Sequence, residues 1–277
     1  MKITTRVEPG KTVSLADHDP ENTFGFTKEQ AGDRLKELSK QLGDLQETLY
    51  AARQNGVLII LQGMDTSGKD GTIKRVMSEV NPLGCRVESF KVPTEEELSH
   101  DFLWRVHKRV PPSGMMTIFN RSHYEDVLVV RVHGLVADEV WGKRYDHITN
   151  FERLLADSNI IVLKFFLHIS LEEQEKRLGD REEETEKAWK LSAGDWKERK
   201  HWGEYMRAYE DALTRTATDH APWHIIPANK KWFRNLAVAE AIVETLKPYL
   251  KDWRAALDKM SAEKLAELQA MRGSEKE

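Results

Sequence analysis

A glycine-rich segment follows a run of apolar residues in the first quarter of this chain of 277 residues. The apolar run covers residues 57–61, and the later segment reads Gly63, Met64, Asp65, Thr66, Ser67, Gly68, Lys69, Asp70 and Gly71. A buried strand, a glycine-rich turn and a helix in this order form the setting of a phosphate-binding loop (P-loop or Walker A motif), in which backbone N–H groups surround phosphate oxygens. The segment therefore predicts an α/β fold and a phosphate ligand.

The loop departs from the usual motif at two positions. Asp70 follows Lys69, where most such loops carry the Ser or Thr hydroxyl that holds Mg²⁺. Asp65 lies within the loop, where its carboxylate repels phosphate unless a cation lies between them. We therefore expect Asp65 to hold Mg²⁺ together with a second carboxylate, and Lys69 to reach the phosphates that flank the reacting bond. The alternative is that Asp65 caps a turn and faces water.

A second polar segment follows the apolar residues 116–119. It runs from Asn120 to Asp126 and contains Arg121 and Glu125. In P-loop kinases the strand beside the loop strand ends in a carboxylate that binds the metal ion. Asp126 or Glu125 could be this ligand, and we assign the role to Asp126. Arg121 is a candidate for neutralising phosphate charge. The alternatives are an acid in the first turn of a helix and an arginine in an ordinary salt bridge.

The rest of the chain alternates between strand and helix patterns. We predict helices over 28–53, 95–109 and 143–155, and strands near residues 57–62, 85–90, 115–119, 160–168 and 223–227. Such alternation predicts a parallel sheet with helices on both faces, as one domain over residues 28–250. Residues 1–27 are interpreted as an arm or loose lead-in, and residues 251–277 as a C-terminal helix. The apolar stripe of the first helix indicates packing on the core, with a dimer seam as the alternative.

Residues 172–202 are dense in charge. Their basic members include Arg177, Arg181, Lys187 and Lys190, which alternate with acids. A solvated helix face explains this pattern. The functional alternative is a helical lid that brings basic side chains to a polyanion when it closes.

The composition narrows the function classes. A formal net charge of −4 argues against a nucleic-acid binder, and Cys85, the single cysteine, cannot form an intrachain disulfide. No apolar run has the length of a membrane span, and residues 1–19 lack the apolar core of a signal peptide, so we expect a cytoplasmic protein that binds no membrane. The ten histidines lack metal-ligand spacing, so no zinc site is predicted.

Five segments resemble the polyphosphate kinase 2 family, closest to the subgroup that uses both AMP and ADP. They are GMDTSGKDG (63–71), FNRSHYEDVLVVRVHG (119–134), KFFLHIS (164–170), KAWKLSAGDW (187–196) and APWHIIPANKKWFRN (221–235). The resemblance extends from about residue 20 to residue 250. It implies a P-loop fold like that of thymidylate kinase, and reversible Mg²⁺-dependent phosphoryl transfer between inorganic polyphosphate and AMP or ADP, which forms ADP or ATP. It also implies a homodimer or homotetramer.

The resemblance assigns roles residue by residue. It matches the family's loop Asp and Lys with Asp65 and Lys69, its following Asp with Asp126, its strand-end Arg with Arg121, and its lid arginines with Arg177 and Arg181. The chain departs from the family at Glu182, Glu183 and Glu184, where the lid often carries basic residues. Two other functions stay open: an ATP-dependent nucleoside or nucleotide kinase of the same fold, and a non-catalytic P-loop binding protein.

Overall fold

The computed structural model describes residues 3–183 and 193–274, and a six-stranded sheet forms its centre. The strand order is β1-β6-β5-β2-β4-β3, in which β1 is antiparallel to β6 and all other neighbours are parallel. The strands are β1 (Thr5–Arg6), β2 (Gly56–Gln62), β3 (Cys85–Ser89), β4 (Met116–Asn120), β5 (Ile160–His168) and β6 (Trp223–Pro227). The five predicted strands are therefore confirmed, with small shifts at their ends.

Helices cover both faces of the sheet, as the alternating pattern predicts. They are α1 (Lys28–Ala52), α2 (Lys69–Val76), α3 (Glu95–Leu98), α4 (Trp104–His107), α5 (Val129–Val132), α6 (Asp138–Asp157), α7 (Leu171–Glu183), α8 (Ala193–Arg199), α9 (Trp202–Thr216), α10 (Lys231–Leu246) and α11 (Leu250–Ser274). One group of packed helices contains α1, α2, α10 and α11, and another contains α5, α6 and α9. In the described residues, no helix is both long and apolar enough to span a membrane.

The expected helix over residues 95–109 is two short helices instead. The Ser99 hydroxyl donates to the carbonyl of Glu96, and the Asp101 carboxylate accepts the N–H of Leu103. Side chains of this kind compete with helical hydrogen bonds and favour turns, so the segment bends between α3 and α4.

Strand β2 lies at the centre of the sheet and is buried along its full length. Its apolar side chains meet helices on both faces, which is why the run of residues 57–61 lacks an alternating pattern. Leu61 pairs with Asn120 of β4 and with Phe165 of β5. Because these strands are parallel, the P-loop after β2 and the polar segment after β4 lie side by side at one edge of the sheet.

The N-terminal residues differ from the loose arm that the sequence suggests. Strand β1 pairs with β6, and the apolar residues Ile3, Val7, Val13 and Leu15 are buried. The N–H of Leu15 also donates to the Glu210 carboxylate at 2.7 Å. The apolar side chains of this irregular segment thus pack against the rest of the domain and become buried.

Helices α1 and α11 use their apolar residues differently. Leu38, Leu42 and Leu49 of α1 are fully buried, in agreement with packing on the core. In α11, Trp253 is fully buried near the start, whereas Leu265 is 58% exposed further along. The last turns of α11 therefore present apolar residues outside the domain.

Candidate active site

The candidate site is a cleft of about 860 Å³ at the carboxyl ends of β2 and β4. The loop residues Asp65 and Lys69 line it together with Arg121 from the end of β4. Helices α7 and α8 contribute Arg181 and Asp195 from another side. The fold thus brings together residues far apart in the sequence, at the edge where the parallel sheet predicts a ligand.

The loop takes the backbone conformation that its glycines allow. Gly63 and Gly68 have φ of +151° and +97°, and Thr66 takes the left-handed conformation with φ of +65°. The N–H of Ser67 donates to the carbonyl of Met64 and closes the turn. Helix α2 then begins at Lys69, and the residues at its start, from Gly68 to Gly71, line the cleft.

Lys69 is buried and folds back onto its own loop. Its Nζ donates to the carbonyls of Gly63 at 2.7 Å and Met64 at 3.2 Å. Burial, helped by the charge of Arg121, lowers the pKa of Lys69 to about 8. An anion in the cleft would stabilise this ammonium group more strongly than carbonyl groups do.

Arg121 links the loop to the end of β4. Its φ of +62° is unusual for a side chain of this size, and its N–H donates to the carbonyl of Leu61. The guanidinium donates to Asp65 at 2.5 Å and to Glu125 at 3.1 Å. Burial disfavours its charge, but the carboxylates of Glu125 and Asp65 outweigh burial and raise the pKa of Arg121.

Asp126 has a different environment from the one expected. Arg144 of α6 donates to its carboxylate at 3.1 Å and to its carbonyl at 3.0 Å. Neither Asp126 nor Glu125 lines the cleft itself, so the two acids differ in the arginine that each one contacts. Burial raises the pKa of Asp126 to about 6, although Arg144 opposes the shift. The structure therefore does not place Asp126 and Asp65 on a common partner. The acid that shares Arg121 with Asp65 is Glu125, the other candidate of the segment.

A buried polar network anchors the short 3₁₀ turn that carries these acids. Lys164 of β5 donates to the Glu152 carboxylate at 2.6 Å and to the Tyr124 hydroxyl at 2.9 Å. Glu152 also accepts the Tyr124 hydroxyl at 2.8 Å and lies 3.3 Å from His123. Because the network holds residues 123 and 124 inside the domain, the turn can present Glu125 and Asp126 in different directions.

The predicted lid region contains α7 and α8. Arg181 faces the cleft as expected, and its guanidinium donates to Asp195 of α8 at 2.8 Å. Burial and the nearby Asp65 carboxylate raise the pKa of Asp195. Lys187 and Lys190 lie outside the described residues. The charge pattern of residues 172–202 did not single out Asp195, because one acid among many in this segment gives no sign of facing the cleft.

Arg177 does not face the cleft. Its guanidinium is buried and donates to the carbonyls of Thr66 at 2.9 Å and Ala228 at 2.6 Å, and to the Glu173 carboxylate at 2.7 Å. In this structure it connects α7 to the rear of the P-loop and to the end of β6. The expectation of a lid arginine was based on charge pattern and resemblance, which do not show the direction of a side chain.

Asp70, the residue in place of the usual hydroxyl, also links strand and loop. Its carboxylate accepts the amide of Asn120 at 2.8 Å, which joins the start of α2 to the end of β4. The site therefore combines a P-loop and its lysine with an arginine shared by two acids. Such a site can bind phosphate chains and neutralise their charge.

Comparison with known proteins identifies the family. The sequence model described as Polyphosphate kinase 2 matches residues 25–253. The chain belongs to the polyphosphate kinase 2 family.

Relatives within this family match most of the chain. It is 54% identical over 243 residues to the AMP/ADP-polyphosphate phosphotransferase of Meiothermus ruber, covering 87% of this chain and 91% of the relative. It is 43% identical over 262 residues to the ADP-polyphosphate phosphotransferase of Rhodopseudomonas palustris, with coverage of 89% and 91%. The crystal structure of polyphosphate kinase 2 from Arthrobacter aurescens is similar with a TM-score of 0.84 and 41% identity, over 90% of this chain and 92% of that one. These comparisons confirm the family and the fold class expected from the sequence.

Proposed function

We propose that this member of the polyphosphate kinase 2 family transfers phosphoryl groups reversibly between inorganic polyphosphate and AMP or ADP, forming ADP or ATP. The observation that carries the proposal is the cleft lined by the P-loop with Asp65 and Lys69 and by Arg121, whose guanidinium also donates to Glu125. The family of the chain and the names of its relatives support the substrates.

The P-loop and Lys69 hold the phosphates on either side of the reacting bond. Lys69 leaves the carbonyls of Gly63 and Met64 and donates to phosphate oxygens, which satisfy its buried ammonium group better. The first N–H groups of α2 donate to the same phosphates. Transfer is then direct and in line, because phosphoryl transfer needs mainly positioning and charge stabilisation.

Mg²⁺ fits the side of the cleft where Asp65 lines it, and Asp65 and Glu125, which share Arg121, would hold the ion. Two carboxylates that share one guanidinium are a ready set of oxygen ligands, and Mg²⁺ in proteins commonly combines one or two carboxylates with substrate phosphates and waters. Among residues 3–183 and 193–274, no three His, Cys, Asp or Glu side chains form a complete metal centre, so the phosphates would complete the coordination. Bound there, Mg²⁺ would neutralise charge on the reacting oxygens.

Arg121 and Arg181 supply further positive charge. Both line the cleft, and both pair with carboxylates in this structure. When phosphates enter, the two guanidinium groups exchange a carboxylate for phosphate oxygens and stabilise the charge of the transferred group. Arginines in such positions raise rates by roughly 10³- to 10⁵-fold in other phosphoryl-transfer enzymes.

An assay without ATP tests the proposal. Purified protein receives Mg²⁺, long-chain polyphosphate and either AMP or ADP, and the nucleotides are separated by chromatography. We expect ADP and ATP to form only when polyphosphate is present; the reaction lacking polyphosphate controls for disproportionation of ADP. Transfer from added ATP to a nucleoside, without transfer from polyphosphate, would instead indicate the ATP-dependent kinase. No transfer from either donor would indicate a binding protein.

A homodimer or homotetramer is also part of the proposal. Leu265, Leu268 and Met271 are exposed on the last turns of α11, where a second subunit can cover them. Light scattering on the purified protein tests this assembly. The nucleotide substrates and the single free thiol of Cys85 fit a cytoplasmic location, which fractionation of the host cell would test.

A further inference from the structure

Two buried arginines contact the rear of the P-loop, on the side away from the cleft. Arg177 comes from α7 and Arg234 from α10, and their exposed fractions are 5% and 3%. Both guanidinium groups donate to the carbonyl of Ser67, at 3.2 Å and 3.1 Å. Two elements distant in sequence therefore hold the same peptide group of the loop.

The held carbonyl determines the direction of the next N–H. In a trans peptide the carbonyl and the N–H of the following residue point in opposite directions. Since the carbonyl of Ser67 points back to the two arginines, the N–H of Gly68 points forward, and Gly68 lines the cleft. Arg234 thus acts on a group that faces the phosphates without facing them itself.

The second glycine of the loop matches the position of Arg234. A Cβ built on Gly68 would overlap the guanidinium of Arg234. The φ of +97° at Gly68 also disfavours a side chain. Only a glycine at this position therefore allows the guanidinium of Arg234 to lie so close to the loop backbone.

The charge of Arg234 is not neutralised by a carboxylate within the described part of the chain. Its other acceptor is the side-chain oxygen of Asn235, which is uncharged, whereas Arg177 has Glu173 as a partner. Burial and the charge of Arg177 lower the pKa of Arg234 to about 9. A buried cation without a counter-ion costs folding free energy, and a polyanion on the other side of the loop would reduce this cost.

We propose that Arg234 is a positioning residue for phosphate binding: it orients the Gly68 N–H toward the cleft and places positive charge behind the bound phosphates. The ligand named here, a polyphosphate or nucleotide phosphate chain, rests on the proposed function. An arginine with a purely structural role would stabilise the folded protein in the absence of ligand. In the role proposed here, Arg234 instead increases the affinity for a bound anion.

Variants of Arg234 separate these two roles. Arg234→Met removes the charge and keeps much of the apolar stem, and Arg234→Lys keeps the charge without the planar fork. The control is Arg86→Met, because Arg86, like Arg234, donates to the backbone; its backbone acceptors are the carbonyls of Arg109 and Val110, away from the P-loop. Titration calorimetry with ADP and with inorganic tripolyphosphate gives the affinity, and melting with and without these ligands gives the stability.

We expect Arg234→Met to bind both ligands about 10- to 100-fold more weakly. Its melting temperature without ligand should stay unchanged or rise, and the increase on adding ligand should shrink. Arg234→Lys should bind with intermediate affinity, and Arg86→Met should keep the affinity of the wild type. If the wild type binds neither ligand, the proposed function fails. If it binds them and Arg234→Met or Arg234→Lys binds equally well, the positioning role is wrong; an equal loss in Arg86→Met also overturns it. Should Arg234→Met not fold, Arg234→Lys decides by the same criterion.

Discussion

Replacement of Glu125 by glutamine tests which acid after β4 serves the reaction. The Glu125 carboxylate lies 3.1 Å from Arg121, which also holds Asp65, and its side chain is 14% exposed. Glutamine keeps the shape and one acceptor oxygen but loses the charge that would hold Mg²⁺. Removing one electrostatic group at a reacting centre costs about 3–4 kcal/mol of barrier, or roughly 10²- to 10³-fold in kcat. We expect a loss of this size, with little change in the free energy of unfolding.

Asp126→Asn is the matched control, because it removes one carboxylate at the adjacent position. Its partner is Arg144, outside the cleft, so the change should weaken an ion pair and not the metal ligands. We expect kcat to fall less than about tenfold, well below the loss for a group at the reacting centre, because the partner Arg144 does not line the cleft. The two variants differ from the wild type by the same atoms, which makes their comparison direct.

The assay follows ATP formation from ADP and polyphosphate as Mg²⁺ is varied at a fixed total polyphosphate concentration. Glu125→Gln should need more Mg²⁺ for half-maximal rate, whereas Asp126→Asn should follow the wild-type curve. A hundredfold loss of kcat and a shifted Mg²⁺ curve in Asp126→Asn, with an active Glu125→Gln, would refute the reasoning. That result would restore Asp126 as the second metal ligand.

Three further outcomes are expected. Asp65→Asn should lower kcat by a factor similar to that of Glu125→Gln while urea unfolding changes little; near-normal turnover would remove Asp65 from the metal site. Lys164→Met leaves the fully buried Glu152 without its cation and should lower the free energy of unfolding by roughly 3–5 kcal/mol. The double variant Lys164→Met with Glu152→Gln should recover most of this loss. Equal stability of the single and double variants would contradict this reasoning. Burial lowers the pKa of His168 to about 4, so the unfolded chain binds more protons between pH 4 and 6.5 and stability falls as pH decreases through this range. His168→Gln should remove roughly 2–3 kcal/mol of that dependence in urea unfolding at pH 4.5 to 7, and an unchanged slope would speak against it.

The sequence alone was sufficient for the central strands and the P-loop. A run such as residues 57–61 can only be buried, and the glycines after it allow the turn that leads into α2. These features depend on local backbone preferences and on hydrophobic burial, and both can be inferred from residues that are neighbours in the sequence. The same reasoning located the segment 120–126, because the ends of adjacent parallel strands must lie at the same edge.

Only the tertiary structure decided where individual polar side chains point. Glu125 and Asp126 are adjacent in the sequence, yet one contacts Arg121 and the other Arg144, because buried partners of the 3₁₀ turn set its orientation. The charge of Arg177 suggests a lid residue, but its position on α7 directs the side chain to the rear of the P-loop. These directions depend on contacts between residues far apart in the sequence; Arg177 and Thr66, for example, are 111 positions apart. Patterns among neighbouring residues do not contain such contacts. The sequence thus determined which groups the cleft could use, and the packing of distant elements determined which of them face it.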